Sequence, residues 1–142
     1  MLFMERKILV VDDDVSVLDL FEDFLRSSGY EVQSAENAEQ TMEILENEDI
    51  GVIFLDLKLF GMNGIELCRQ IRKHNPIPII YAITGWAALF EVKECREAGF
   101  DDFFTKPIRV ETLSRAVEDA FEKLDRWKGR YNSHRFSDQR QL

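Results

Sequence analysis

Cysteine is scarce in this chain, long apolar runs are missing, and positive charge is in deficit. The two cysteines, Cys68 and Cys95, have neither a C-x-x-C spacing nor a histidine cluster beside them. Each falls in an apolar-periodic segment, which reads as a buried, reduced thiol and excludes a disulfide framework. No apolar run approaches the length of a membrane span, and the N-terminus lacks the apolar stretch of a secretion signal. The expected compartment is therefore the cytoplasm, with no membrane partner. Eighteen Lys and Arg face 27 Asp and Glu, a net charge of −9. The one basic segment is residues 125–142, with five Lys/Arg against two Asp/Glu; its +3 leaves −12 on the other 124 residues. An acidic body argues against direct nucleic-acid binding and favours a cationic ligand or a basic protein surface.

What is present is a strict alternation of strand-like and helix-like segments within 142 residues, enough for one domain with its own core. Short apolar runs at 7–11, 51–55 and 78–83 read as strands buried on both faces. Residues 30–35 read as a more polar strand nearer an edge, and "DDFFT" at 101–105 as a fifth strand. Between them, apolar stripes of helical period predict helices from Val15 to Ser28, from Asn37 to about Glu46, over 64–73 and over 86–98. A long helix follows Pro107. Asn37 with Gln40 forms a capping pair, and Gly29 and Gly99 supply helix stops. Five strand–helix units predict an α/β fold, a (βα)5 doubly wound parallel sheet in the flavodoxin-like order 2-1-3-4-5. In such sheets ligands bind beyond the carboxyl ends of the central strands.

The stretch "ILVVDDDVSV" runs four apolar residues into Asp12, Asp13 and Asp14. At the ends of the other central strands stand Asp56, Thr84 and Lys106. Two carboxylates about 4 Å apart repel by roughly 4 kcal/mol at an effective dielectric of 20. Three in one cleft must hold protons or hold a cation, and all-oxygen ligands suit a hard ion such as Mg²⁺. A single loop aspartate is ordinarily just solvated. Independent solvation gives no reason for Asp, Asp, Thr and Lys to share the ends of four neighbouring elements. Asp14 needs no more than the role of an acid at a helix N-terminus.

The segments "ILVVDDD", "VIFLDLKLFGMNG", "PIIYAITG" and "AGFDDFFTKPI" resemble the receiver domains of two-component response regulators, over about residues 5–125. The resemblance implies a phosphorylation-dependent switch rather than an enzyme, catalysing only its own phosphotransfer and dephosphorylation. It implies that Asp56 accepts the phosphoryl group from a sensor histidine kinase or phosphotransfer protein. Mg²⁺ would be held by Asp13, Asp56 and the backbone carbonyl of Lys58, with Asp12 acting through water. Thr84 would bond a phosphoryl oxygen, and Lys106 would pair with the phosphoryl group or Asp56. Thr84 and Phe103, in the place of a frequent tyrosine, would be the switch residues. The helix 4–strand 5–helix 5 face would meet a downstream target or a second copy, and Trp86 and Phe90, four residues apart, are its candidate contacts. The resemblance divides the chain into a receiver domain at 1–128 and a short basic tail at 129–142 with no output domain.

Several positions depart from the family pattern. Leu59 and Phe60 replace its Met and Pro after the acceptor, which predicts a less constrained loop, while Gly64 is kept. Lys58 and Trp86 occupy the positions that tune hydrolysis, and neither is a carboxylate or an amide. Thr112 and Ala116 flank Leu113 where the winged-helix regulators of the family carry Glu and Arg, which speaks against their particular dimer. Two alternatives remain beside this reading. A haloacid-dehalogenase-like phosphohydrolase would use Asp12 as nucleophile and leave Asp56 idle. A pseudo-receiver would bind partners without phosphorylation.

Overall fold

The computed structural model describes residues 6–59, 61–85 and 89–140. Lys7–Val11 (β1), Glu31–Ala35 (β2), Val52–Asp56 (β3), Ile79–Thr84 (β6) and Asp102–Thr105 (β7) form one parallel sheet in the order β2-β1-β3-β6-β7. Counting sheet strands alone, this is the expected 2-1-3-4-5. Between β3 and β6, Lys58–Leu59 (β4) and Met62–Asn63 (β5) pair as a small antiparallel ribbon. The five helices are Val15–Ser27 (α1), Ala38–Asn47 (α2), Gly64–His74 (α3), Leu89–Ala98 (α4) and Val110–Arg140 (α5).

Alternation along the strands splits the core in two. Ile8, Val10, Val52, Phe54, Tyr81 and Ile83 point toward α1 and α5, where Leu25, Val117 and Phe121 meet them. Leu9, Val11, Ile53, Leu55, Ile80 and Ala82 point the other way, against Leu67, Cys68 and Ile71 of α3 and Cys95 of α4. Residues buried on both faces explain why β1, β3 and β6 read as unbroken apolar runs. Each fully buried Leu, Ile or Phe contributes roughly 1.5–3 kcal/mol.

The helix ends follow local chemistry. Asp14 caps α1 by accepting from the Ser16 amide at 3.0 Å, so its role is the expected one. Asn37 accepts from Gln40 N, and the Gln40 side chain returns a bond from Glu36 N, both at 2.8 Å. Gly29 and Gly99 adopt φ of 95° and 110°, the left-handed turn that ends a helix.

One expectation needs correction. The loop after Asp56 is not loosened by its missing proline: β4 and β5 pair across it, with Gly61 at φ 83° making the turn. Val110, the first residue of α5, is 50% exposed. α5 runs on through residues 129–140. Among the described residues, no helix is long and apolar enough to cross a membrane.

Candidate functional site

The ladder registers bring the site together. Val11 pairs with both Ala35 and Leu55, Asp56 with Ile83, and Thr84 with Thr105. The chain segments leaving β1, β3, β6 and β7 therefore emerge side by side at one edge of the sheet. Asp12 and Thr84 are 1% exposed and Asp56 5%, whereas Asp13 faces solvent.

Asp12, Asp13 and Asp56 each place a carboxylate oxygen within 4.8 Å of the others. Lys106 Nζ donates to Asp12 Oδ2 at 2.7 Å and to Asp56 Oδ2 at 3.3 Å. The expected Lys106–Asp56 ion pair exists, but its shorter arm goes to Asp12. The second oxygen of each buried carboxylate is held by a backbone amide, Asp12 Oδ1 by Asp14 N at 2.9 Å and Asp56 Oδ1 by Lys58 N at 3.1 Å. The Lys106 amide donates to the Thr84 carbonyl at 2.8 Å, which fixes the lysine's backbone to β6.

The charges are balanced unequally. Burial raises the Asp56 carboxyl above its ordinary value, and the Asp12 charge adds to this, against the pull of the Lys58 amide and Lys106. For Lys106, burial works against the ammonium, but the hydrogen bond to Asp12 and the charges of Asp56 and Asp12 outweigh it and hold the group above its ordinary value. One ammonium thus faces three carboxylates. The donor set fits a hard divalent cation, being three carboxylates with one open to solvent, where water and phosphate oxygens could complete an octahedral shell.

Two supporting features depend on packing and capping at the start of α3. A Cβ on Gly64, the first residue of α3, would strike the carbonyl oxygen of Asp56 and the Cα of Leu57. Glycine is required there so that α3 can start against β3, with Gly64 N bonded to Leu57 O at 2.9 Å. Asn63 then caps α3 by accepting from Ile65 N at 2.8 Å. The retained glycine was visible; its reason lies in the packing.

Phe103 is half-buried against the α3/α4 side of the core, the inward side. Trp86 lies outside the described residues, and so does the side chain of Phe90. The partner surface expected of them therefore has no structural description.

Residues 8–118 match the response regulator receiver domain family. A cyclic di-GMP phosphodiesterase of Thermotoga maritima is 36% identical over 113 residues, 80% of this chain and 30% of that protein. An uncharacterized transcriptional regulatory protein of Bacillus subtilis, YrkP, is 36% identical over 114 residues, 80% of this chain and 48% of its own length. The chain thus spans about half or less of the length of the curated relatives it matches. The crystal structure of a CheY-like receiver domain protein from Methanospirillum hungatei superposes with a TM-score of 0.83 at 30% identity, covering 87% of this chain and 98% of that one. The chain belongs to the response regulator receiver domains, the signalling domains of two-component systems, which interact with kinases and effector domains. That membership sets aside the phosphohydrolase alternative.

Proposed function

We propose that Asp56 is the phosphoacceptor of an Mg²⁺-dependent switch. The observation that carries this reading is the juxtaposition of three carboxylates within 4.8 Å and one shared lysine at the strand ends. An Asp56 carboxylate oxygen attacks the phosphorus of a phosphohistidine on a sensor kinase or phosphotransfer protein. The P–N bond breaks, the imidazole keeps the electron pair, and an acyl phosphate forms.

Asp13 and Asp56, with the Lys58 carbonyl, would hold Mg²⁺, and Asp12 would reach it through water. The ion would supply positive charge to the transferring phosphoryl oxygens. Lys106 stabilises the same oxygens once it releases Asp56, and its arm to Asp12 keeps it in reach. Thr84, at the end of β6, donates its hydroxyl to a phosphoryl oxygen. A phosphoryl group pulling on Thr84 and Lys106 moves the ends of β6 and β7, and Phe103 on β7 passes that shift to the α4–β7–α5 face. That face then meets a downstream target or a second copy. The cytoplasm suits such a pathway.

The test is incubation with a small phosphodonor and Mg²⁺. The protein gains one acid-stable, base-labile phosphate, and Asp56→Asn abolishes the gain while leaving the fold intact. Labelling that persists in Asp56→Asn moves the acceptor to another residue, and no labelling of the wild type leaves a phosphorylation-independent receiver; either result rejects Asp56.

A further inference from the structure

A groove of about 260 Å³ lies between α2 and α3, lined by Met42, Leu45, Glu46, Ile71, His74 and Pro78 with Asn75. Both helices end there, at the N-terminal edge of the strands, so it sits on the opposite edge of the sheet from Asp56. Its floor is apolar, from half-buried Met42 and Leu45 and buried Ile71 and Pro78. Beside it Ile77 is 70% exposed, a high value for a large aliphatic side chain.

The loop that presents Ile77 is held firmly. Arg72 donates to the carbonyls of Pro76 at 3.0 Å and Pro78 at 2.7 Å, on either side of Ile77. Asn75 Oδ1 accepts from Ile77 N at 3.0 Å. The apolar knob is displayed on a fixed backbone, so little ordering entropy is lost when it is covered.

The two rims carry opposite charge. The α2 rim offers exposed Glu43 and Glu46, followed by Asp49. On the other rim, the last turn of α3 offers exposed Lys73, Arg72 being committed inward. Among the described residues, neither Glu46 nor Lys73 has an ion-pair partner in its own chain. A two-fold axis laid along such a groove sets the acidic rim of one copy over the basic rim of the other, twice. An axis across the groove sets acid on acid. A surface with a knob, a hole and rims of opposite sign is complementary to itself.

We propose that the α2–α3 groove is the contact surface for a second copy of this chain, with Ile77 of each copy packed at the other's groove and Glu46 facing Lys73 across the axis. Pairing through this edge leaves the carboxylate edge of both copies open, so association does not depend on Asp56.

Sedimentation across the micromolar range tests it, with charge swaps to locate the face. Wild type associates with rising concentration, and Ile77→Asp weakens this by at least about tenfold. Glu46→Lys alone and Lys73→Glu alone each self-associate more weakly, while an equimolar mixture of the two recovers the pair. Asp56→Asn associates as wild type does. A wild type that stays monomeric, a mixture that fails to recover, or an association altered by Asp56→Asn overturns the assignment.

Discussion

Lys106 Nζ lies 2.7 Å from Asp12 Oδ2, nearer than the 3.3 Å that separates it from Asp56. The lysine is anchored to the carboxylate that is not the proposed acceptor, so the weaker of its two contacts is the one phosphorylation must displace. The arrangement also leaves an imbalance, with three acids sharing one ammonium in a cleft where two of the acids are buried. Mutual repulsion at such spacing is worth several kcal/mol in the limit of poor screening, and a cation removes it.

Metal dependence follows from that imbalance. Mg²⁺ at millimolar concentration should raise the melting temperature, because a ligand that binds only the folded state stabilises by RT ln(1 + [L]/Kd). Asp13→Ala should remove the response and leave the metal-free protein as stable as wild type or more so, since Asp13 is exposed and adds only repulsion. Melting curves with and without Mg²⁺ decide it. An unchanged wild-type midpoint means that the cluster is not a metal site.

Gly64→Ala should be costly for a residue lacking any side chain. The new Cβ meets the Asp56 carbonyl and the Leu57 backbone, neither of which is a flexible side-chain end that can swing away. Moving α3 off β3 would cost roughly 2–4 kcal/mol and disturb Asp56, the proposed acceptor. Denaturant unfolding gives the stability, and phosphodonor labelling gives the site. A loss below about 0.5 kcal/mol, the range of a neutral surface change, would show that α3 is not seated as described.

Alkaline pH supplies a test of the core. Burial pushes the Cys68 thiol and the Tyr81 hydroxyl each up to about 12. The unfolded chain releases those protons near about 8.5 and 10, so between these values and 12 the folded state binds more protons than the unfolded one. Stability is therefore full below about pH 8 and falls as pH rises toward 12. Cys68→Ala should lower the midpoint at neutral pH through lost packing, yet flatten its decline between about pH 8 and pH 11. Parallel slopes in the two proteins would mean that the thiol is not shielded.

The sheet order and most of the site were readable because both are written locally. Apolar runs ending in Asp12, Asp56 and Thr84 mark strand and site in the same few residues, and topology does the rest. What escaped depends on contacts between distant segments. Arg72 bonds Gly99 O at 2.9 Å and Asp101 Oδ2 at 2.9 Å, and Asp101 in turn accepts from Ile80 N at 2.8 Å. This knot ties α3 to both loops flanking the end of the sheet, yet in the sequence Arg72 is one more polar residue on an amphipathic helix. The β4–β5 ribbon was missed for a related reason. Each of its strands is two residues long, too short for any period to show.

On the proposed reading, the lifetime of an acyl phosphate on Asp56 would be set by water attacking phosphorus in line, opposite the leaving Asp56 oxygen. A polar side chain two residues beyond Asp56 or two beyond Thr84 can orient that water, and these positions hold Lys58 and Trp86. The Lys58 amide is spent on Asp56 Oδ1, while its side chain is exposed and offers only N–H donors, with no acceptor to orient water. It can pair with phosphoryl oxygens and hold them. The indole at position 86 has no acceptor to align a water molecule. Slow self-dephosphorylation is therefore expected, with a phosphoryl lifetime suited to sustained output. Lys58→Asn or Trp86→Glu supplies a group that can orient water and should accelerate hydrolysis by roughly tenfold, equivalent to about 1.4 kcal/mol of barrier. The decay of phosphoprotein after removal of the donor gives the rate. Decay of the wild type within seconds, or no acceleration in either variant, would assign the control of hydrolysis to other residues and leave Trp86 to a partner.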